Sequence, residues 1–273
     1  MELEQYYQRI GFNPDRALDA NLETIAGLQQ AHVTSVPFDN LSIVGSPFND
    51  WVGEGLSMRL SDIYDKLVDH RRGGLCYDHN GLFGWALSEL GMDVTRIAGR
   101  VYDRDTGELY SRESHLSLLV ALEQPFVVDV GFGDVIRQPL PIDGTPISTV
   151  DGSWRVIESE RADADFVVQS QAHAEPSWTS RYLFRTTPQS MTDFELDGVY
   201  HETHPDAPFN DDPVVSVATE AGRKTLSTAT LTIDKGGTIE RFPVSRKEWS
   251  DVLEREFDIH LGKTHRTSSS DDR

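Results

Sequence analysis

The chain has 273 residues, which is enough for a substantial hydrophobic core in one large domain or in about two or three smaller ones. It contains 25 lysine and arginine residues against 45 aspartate and glutamate residues, a formal net charge of −20 at pH 7. Nucleic-acid-binding proteins are basic, so we expect no nucleic-acid partner. An excess of carboxylates is typical of halophilic proteins, which work at high salt, and an ordinary acidic cytosolic protein is the alternative.

The sequence also indicates a cytoplasmic protein. Cys76 is the only cysteine, so an intramolecular disulfide of the kind found in secreted proteins is excluded. No apolar run approaches the roughly 18 residues of a membrane span, and we expect no membrane partner. The first five residues are mostly polar or acidic, unlike a signal peptide.

Residues 1–91 have the spacing of a helical bundle. Asn21 can cap a helix that carries apolar residues on neighbouring turns. His32, near the end of that helix, is expected to be a structural or surface histidine, because no second metal ligand lies at useful spacing. A further helix is predicted to end at His70, and the last one to begin near Cys76 after two glycines.

Beyond this bundle the apolar period changes to that of strands, with Gly, Pro and Asp at the turns. Strand-like segments lie at 94–102, 115–122, 126–130, 154–157, 166–169 and 180–184. Several short strands of this kind predict an antiparallel barrel or sandwich over residues 92–185. The whole chain is therefore assigned to the α+β class.

The C-terminal third is predicted to consist of a connector, a small α/β lid and a tail. Residues 186–209 are polar and contain few apolar positions, with a short helix from Gln189. Strands are predicted at 214–219, 224–233 and 238–243, before a helix opened by the capping-box pattern of Ser245 and Glu248. The lid is thus expected over 210–263 and a disordered Ser- and Asp-rich tail over 264–273.

Cys76 is the first candidate for chemistry. It follows a Gly-Gly bend and lies in the first turn of a predicted helix, where free N–H groups and the helix dipole stabilise a thiolate. A lone cysteine with a histidine and a carboxylate elsewhere in the chain is a candidate nucleophile. The alternative from residue type alone is a small buried core residue without chemistry.

A cysteine nucleophile needs a base and a group that orients that base. His115 begins a predicted strand, and Asp129 lies in the next strand among apolar neighbours, so its charge is expected to be partly buried. A turn at 123–125 would place Asp129 opposite Leu119, roughly 13 Å from His115 at ordinary strand rise. Spacing alone leaves open whether Asp129 meets His115, an arginine or a backbone N–H.

Five motifs resemble those of the arylamine N-acetyltransferases. They are Val-Pro-Phe-Asp-Asn-Leu at 36–41, Arg-Gly-Gly-Leu-Cys-Tyr-Asp-His-Asn at 72–80, His-Leu-Ser-Leu-Leu-Val at 115–120, Val-Asp-Val-Gly-Phe-Gly at 128–133, and Thr-His-Pro-Asp-Ala-Pro-Phe at 203–209. With two shorter matches, the resemblance spans about residues 20–210. The chain departs from the family at Asp39 and Asp78, where the family has glutamate.

The resemblance implies a cysteine-protease-like core and a catalytic triad of Cys76, His115 and Asp129. It implies acetyl-CoA as co-substrate without a metal, an aromatic amine or hydrazine as acceptor, and ping-pong kinetics through an acetyl-cysteine. The implied acceptor pocket is lined by Phe38, Val101, Phe132 and Phe209. The implied cofactor contacts are Gly131, Phe132 and Gly133, and the implied structural residues near the site are Arg72, Asp39 and Asp78.

Two other enzyme classes share this arrangement of residues. An amide synthase of the same fold, acting on a carrier-bound acyl chain, would use the same triad with a wider pocket. A cysteine hydrolase of transglutaminase or papain type would let water attack acyl-Cys76. A catalytically inactive binding module is disfavoured, because Cys76, His115 and Asp129 are all intact.

The net charge predicts that salt stabilises the fold. The Debye length falls from about 30 Å at 0.01 M salt to about 3 Å at 1 M, so added KCl screens repulsion between surface carboxylates. The melting temperature should therefore rise with KCl into the molar range. A scanning-calorimetry series in which it stays flat or falls between about 0.05 and 2 M KCl would contradict the halophilic interpretation. A local arginine cluster, for example around Arg100 or Arg137, could still shield a bound polyanion.

Overall fold

The computed structural model describes residues 1–14, 17–48, 50–104, 106–173 and 175–261. It contains an N-terminal group of helices, an eight-stranded antiparallel sheet and a five-stranded antiparallel sheet. The predicted α+β class is confirmed. The tail predicted to be disordered, 264–273, and the last two residues of the predicted lid lie outside the described residues.

The N-terminal helices follow the predicted spacing. They are α1 (Leu3–Arg9), α2 (Leu22–Ser35), α3 (Leu41–Val44), α4 (Leu60–Tyr64) and α5 (Cys76–Glu89). Asn21 caps α2 as predicted, because its Oδ1 accepts a hydrogen bond from the Thr24 N–H at 2.9 Å. Helix α4 continues as a π-helical turn, Asp65–Asp69, so the predicted helix ending at His70 is present in two parts.

Helix α5 lies at the centre of the molecule. Every residue from Cys76 to Leu87 is buried, including the polar residues Asp78, His79 and Asn80. Its start is defined by Asp78, whose Oδ2 accepts the Leu75 N–H at 2.9 Å, while the Asp78 N–H bonds to the Leu75 carbonyl. The prediction that Cys76 opens a helix is confirmed, and the nucleophile candidate therefore has a rigid, buried support.

The barrel is formed by strands from the middle of the chain. They are β2 (Asp93–Val101), β3 (His115–Ala121), β4 (Pro125–Val128), β5 (Leu140–Pro141), β6 (Ile147–Thr149), β7 (Gly152–Glu158), β8 (Phe166–Gln171) and β9 (Thr179–Phe184). Their order in the sheet is β5-β4-β3-β2-β9-β8-β7-β6, with all neighbours antiparallel. Strand β5 returns against β7, so the sheet is a nearly closed barrel.

The turn between β3 and β4 corrects the predicted register. Pro125 is the first residue of β4 and pairs with Ala121, a position at which proline is tolerated, so the turn comprises residues 122–124. Leu119 pairs with Val127, and the expectation that Asp129 lies opposite Leu119 is therefore wrong. The two-residue shift brings Asp129 to the His115 end of the strand pair.

The C-terminal elements build the second sheet and its covering helix. A 3₁₀ turn (Met191–Phe194) and α6 (Glu195–Thr203) precede β10 (Val215–Thr219), β11 (Gly222–Leu226), β12 (Thr230–Lys235), β13 (Thr238–Pro243) and α7 (Trp249–Phe257). The single strand predicted at 224–233 is wrong. It is a hairpin in which Leu226 pairs with Leu231, and a turn without Gly or Pro, closed by the Ser227 N–H on the Thr230 carbonyl, hides it from the sequence pattern.

A two-residue strand from the N-terminal region completes this sheet. Strand β1 (Phe38–Asp39) pairs with β10, giving the order β1-β10-β11-β12-β13. Helix α7 packs on the sheet through its predicted apolar face, with Trp249, Val252, Leu253 and Phe257 buried. The N-terminal and C-terminal parts of the chain therefore share one sheet.

Among the described residues, no helix has both the length and the apolar character required for a membrane span.

A chain of buried hydrogen bonds joins α1, α2 and α5. Tyr6 Oη lies 2.8 Å from His32 Nδ1, and His32 Nε2 lies 2.9 Å from His79 Nδ1. His79 Nε2 reaches the Pro37 carbonyl at 3.1 Å, which requires a proton on that nitrogen and so makes Nδ1 of His79 the acceptor. His32 is thus a structural histidine, as predicted, and both imidazoles are neutral.

The two buried histidines of this hydrogen-bond chain predict that the stability of the fold falls in acid. Burial lowers the pKa of His79 to about 4, and burial and the neighbouring His79 lower the pKa of His32 below its ordinary value. As the pH falls from about 6.5 towards 4, the unfolded chain binds protons that the folded chain does not, so stability is lost over that window. Each histidine should remove on the order of 1–2 kcal/mol of unfolding free energy by pH 5.

Urea denaturation at pH 7.5 and pH 5 measures this loss. His79→Gln should be less stable at pH 7.5 but should lose less stability on acidification, since glutamine does not titrate. His173→Gln, at an exposed histidine, is the matched control and should leave the pH dependence unchanged. An identical acid loss in wild type and His79→Gln would show that this histidine is not responsible.

Candidate active site

The entry to α5 brings Phe38 beside Cys76. Gly74 forms a parallel bridge with Phe38, and its carbonyl accepts the Asp39 N–H at 2.9 Å. A Cβ atom on Gly73 would lie 2.1 Å from the Pro37 carbonyl oxygen, so only glycine permits this close approach of two backbones. The Gly-Gly pair is therefore a packing requirement as well as a bend.

His115 and Asp129 are in direct contact. His115 begins β3 and Asp129 follows the last residue of β4, and the His115 Nε2 atom lies 2.7 Å from Asp129 Oδ2. Both side chains are buried, with 6% and 0% of their surfaces exposed. The corrected register explains this contact, which spacing alone had left open.

The Asp129 carboxylate is held by three further donors. Oδ1 accepts bonds from Asn80 Nδ2 at 2.9 Å and from the Gly131 N–H at 3.0 Å, and Oδ2 accepts one from Tyr182 Oη at 3.0 Å. Asn80 is one helical turn beyond Cys76 in α5, and its Oδ1 accepts the Val130 N–H. The helix that carries the cysteine thus also holds the carboxylate in place.

The electrostatics of the pair favour a charged histidine. Burial opposes the imidazolium, but the Asp129 carboxylate and the neighbouring Cys76 raise the pKa of His115 to about 10. Burial also opposes the carboxylate, yet His115 and the donors from Asn80 and Gly131 lower the pKa of Asp129. The buried pair is therefore an imidazolium–carboxylate ion pair near neutral pH.

Cys76 lines the same pocket as His115. Cys76 is close enough to His115 to raise the pKa of the imidazole. Because Nε2 of His115 is engaged by Asp129, Nδ1 is the ring nitrogen left for the thiol. The N–H groups of Cys76 and Tyr77 belong to the first turn of α5, where a helix leaves its N–H groups without helical acceptors. A negatively charged oxygen at this point could accept bonds from them.

Cys76 and His115 open into a pocket of about 310 Å³. The six predicted wall and cofactor positions all line it: Phe38, Val101, Gly131, Phe132, Gly133 and Phe209. The Phe38 and Phe209 rings meet edge to face at 5.8 Å, and the Phe132 ring lies 5.2 Å from the His115 ring. The pocket is thus small, and several aromatic side chains contribute to its wall.

The two glycines of the wall act differently from one another. A Cβ atom on Gly131 would lie 2.7 Å from the Cys76 Cα atom and 2.8 Å from the Asn80 amide nitrogen, so this glycine lets the end of β4 pack on α5. A Cβ atom on Gly133 would meet only the Phe38 ring, at an ordinary 3.8 Å. The space beside Gly131 is therefore filled by the backbone of Cys76, which is part of the protein itself.

Asp78 and Asp39, the two aspartates that stand where the family has glutamate, have separate partners. Asp78 pairs with Lys66 Nζ at 2.6 Å in addition to capping α5. Asp39 Oδ1 accepts the Leu41 N–H at 2.9 Å, and burial raises the pKa of Asp39 while Arg72 opposes that rise. Arg72 lies over the Trp51 ring at 4.3 Å and makes no side-chain hydrogen bond to Asp39 within the described part of the chain.

Several site residues escaped prediction. Asn80 had a usable signal, because it follows Cys76 by four positions and so shares its helix face. Tyr182 had none, since it reaches Asp129 from β9, more than fifty residues along the chain. The remaining unpredicted pocket residues include Tyr110, His201, Arg104, Asp134 and Arg181. The described residues contain no group of three or more His, Cys, Asp or Glu side chains suited to a metal ion.

Comparison with known proteins gives consistent matches. A family model described as N-acetyltransferase matches residues 21–266. The arylamine N-acetyltransferase of Mycolicibacterium smegmatis is 34% identical over 271 residues, which cover 96% of this chain and 93% of that protein. A solved structure of the M. smegmatis arylamine N-acetyltransferase has a TM-score of 0.82 at 33% identity, covering 96% of this chain and 93% of that one.

A second solved structure is that of the Mycobacterium marinum arylamine N-acetyltransferase in complex with CoA. Its TM-score is 0.79 at 30% identity, and 94% of this chain and 93% of that one are covered. Matches over nearly the whole length define an acyl-transferring enzyme with a cysteine-protease-like fold. The chain belongs to the arylamine N-acetyltransferase family. The predicted family, enzyme class and fold are thereby confirmed.

The geometry predicts how Cys76 reactivity depends on Asp129. In Asp129→Asn the carboxylate that holds His115 protonated is gone, and in His115→Ala the imidazole is gone. Both variants should fold, and their alkylation by iodoacetamide near pH 7 should slow by about tenfold or more, because a tenfold change corresponds to one pKa unit of lost charge stabilisation.

Asp143→Asn, at an exposed aspartate outside the pocket, serves as the matched control and should alkylate at the wild-type rate. Circular dichroism establishes that each variant is folded before rates are compared. Alkylation of Asp129→Asn and His115→Ala as fast as wild type would mean that the helix N-terminus alone activates the cysteine.

Proposed function

We propose that the protein transfers an acetyl group from acetyl-CoA to an aromatic amine or hydrazine through an acetyl-Cys76 intermediate. The observation that supports this most strongly is that Cys76 and His115 line one pocket with several aromatic residues, while Asp129 holds His115 from behind. The family membership and the M. marinum relative in complex with CoA support the choice of donor.

In the first half-reaction His115 Nδ1 holds the proton of Cys76, and the thiolate attacks the thioester carbonyl carbon. The carbonyl oxygen becomes an oxyanion, which we assign to the N–H groups of Cys76 and Tyr77. The C–S bond to coenzyme A then breaks, and His115 returns the proton to the departing sulfur. One thioester replaces another, so the step is close to isoenergetic and leaves acetyl-Cys76.

In the second half-reaction the amine takes the place of coenzyme A. Its nitrogen attacks the acetyl carbon, neutral His115 accepts the proton that the nitrogen loses, and Cys76 leaves as the thiolate. Asp129 stabilises the imidazolium in both halves and keeps the ring oriented. Because the two substrates use the site in turn, the kinetics are ping-pong.

The pocket supports a small aromatic acceptor over the alternatives. Its volume of about 310 Å³ is at the lower end of the range of small-molecule sites, and its walls include Phe38, Phe132 and Phe209. A single aryl ring stacks or packs edge-on against such walls. A bulkier carrier-bound acyl chain would need a larger pocket.

Different parts of the chain supply the residues of the site. The bundle of residues 1–91 supplies Cys76, the barrel of residues 92–185 supplies His115 and Asp129, and the lid of residues 210–263 follows the connector 186–209. The net charge of −20 supports a cytoplasmic enzyme that works at high salt.

Intact-mass measurement after mixing the protein with acetyl-CoA tests the proposal. Wild type should gain one acetyl group, about 42 Da, because the intermediate is covalent, and addition of an arylamine should discharge it. Cys76→Ser should not gain this mass under the same conditions.

The measurement is repeated over a series of KCl concentrations, since both the fold and the approach of a polyanion depend on screening. Asp143→Asn again provides a variant with altered charge and an untouched site. The absence of an adduct on wild type at every salt concentration would rule out acetyl transfer through Cys76.

A further inference from the structure

Three arginines converge on one aspartate at the rim of the pocket. Asp134 Oδ1 lies 2.9 Å from Arg104 Nη1 and 3.2 Å from Arg223 Nη1, and Oδ2 is paired with Arg181. Arg223 Nη1 also donates to the Gly133 carbonyl at 2.9 Å. The arginines come from the loop after β2, from β9 and from β11, so the barrel and the second sheet meet at this cluster.

The cluster retains positive charge. Three guanidinium groups surround one carboxylate, and no other acidic side chain of the described chain is shown to pair with Arg181 or Arg223. Burial, followed by repulsion from Arg104 and Arg223, lowers the pKa of Arg181 to about 10. Its buried Nε has no hydrogen-bond acceptor among the described residues. Such an excess is unusual on a chain of net charge −20.

The cluster also lies between two cavities. Arg104, Asp134 and Arg181 line the pocket that contains Cys76, and together with Arg223 they line a neighbouring groove of about 710 Å³. Phe132 lies between His115 and the arginine cluster, since its ring is 5.2 Å from the His115 ring and 5.7 Å from the Arg181 guanidinium carbon.

The acidic residues of this groove do not neutralise the positive charge of the arginine cluster, because most of them have other partners. Asp151 is paired with Arg137, and Asp234 Oδ1 accepts the Gly237 N–H at 2.8 Å. Glu175 also lines the groove. The rim shared with the pocket therefore carries Arg104 and Arg181 around Asp134. Asp103 also lines the pocket, where its carboxylate accepts bonds from the hydroxyl groups of Tyr110 and Thr106.

We propose that Arg104, Arg181 and Arg223 form the subsite for the phosphate groups of the acyl donor. The proposal rests on the proposed function, in which a nucleotide thioester places its carbonyl carbon at Cys76. A thioester at Cys76 directs the phosphate end of the donor out of the pocket past Phe132, and the first positive charges on that route belong to this cluster. Planar guanidinium groups suit phosphate oxygens, and Asp134 holds them in place when no phosphate is bound.

The two arginines considered from the sequence have other partners. Arg100 Nη2 pairs with Asp163 at 2.7 Å and does not line the pocket. Arg137 is buried, where it contacts Asp151 and the Gly222 carbonyl. The expectation of a local arginine cluster is met by different residues.

The test compares two donors on Arg104→Gln and Arg223→Gln. Acetyl-CoA carries phosphates, whereas S-acetyl-N-acetylcysteamine has the same thioester and no phosphate. Each variant should raise the KM for acetyl-CoA roughly 5- to 30-fold, as expected for one lost charge-assisted hydrogen bond. The kcat/KM for the phosphate-free donor should change less than about twofold.

Arg161→Gln is the matched control. It removes one positive charge from an exposed arginine that pairs with Asp163, away from the pocket, and so measures the effect of net charge alone. At one fixed KCl concentration it should leave both donors unaffected. Equal losses with the two donors, or no loss with acetyl-CoA in either Arg104→Gln or Arg223→Gln, would overturn the subsite.

Calorimetric binding of coenzyme A to Cys76→Ser separates this proposal from the catalytic one, because it requires no acetyl transfer. Adding Arg223→Gln should weaken binding by a similar factor, and unchanged binding would overturn the subsite. If wild type forms no acetyl-Cys76 with either donor while binding still depends on Arg223, the proposed activity fails and the subsite stands.

Discussion

The site depends on one buried carboxylate. Asp129 has no exposed surface, and a charge in such a place is tolerated only when hydrogen-bond donors replace the lost water. Its donors come from β3, from β9, from α5 and from the chain just beyond β4, in the form of His115, Tyr182, Asn80 and the Gly131 N–H. Satisfying this one group requires the barrel and the central helix to meet in a single arrangement.

That requirement also explains why the Cys76 thiol is well placed. Cys76 and Asn80 are on the same side of α5, so the helix cannot rotate or slide without breaking the bond from Asn80 to Asp129. Gly131 sets the separation, because any larger residue would meet the backbone of Cys76. Packing and hydrogen bonding thus position the thiol with the same contacts that hold the imidazole.

The elements with strong local signals could be predicted from sequence. The cap at Asn21, the helix start at Cys76 and most barrel strands depend on residues close together in the chain. The hairpin within 224–233 could not, because its turn has no Gly or Pro. The contact between His115 and Asp129 could not be predicted from spacing for a related reason. A turn displaced by one residue moves the pairing of the two strands by two residues. Motif resemblance supplied that contact where spacing did not.

Residues that act across the fold were beyond sequence reasoning. Tyr182 and the cluster around Asp134 join segments separated by tens of residues, and each is an ordinary strand or loop residue in its own segment. Charge counting predicted net repulsion at the surface and suggested Arg100 or Arg137 for a local cluster, whereas tertiary structure concentrates three other arginines around Asp134. Composition describes an average, and a binding site is a local departure from it.

Strand β1 has a consequence for how this family can change during evolution. Its two residues bridge to Gly74 on one side and pair with β10 on the other, and Phe38 itself forms part of the pocket wall. The C-terminal sheet is therefore not an interchangeable module, because its edge strand is encoded about 175 residues earlier in the sequence, close to Cys76. Exchange of the C-terminal segment between relatives would have to preserve the pairing of β10 with β1. A replacement sheet that altered this pairing would shift Phe38 and so change the shape of the pocket.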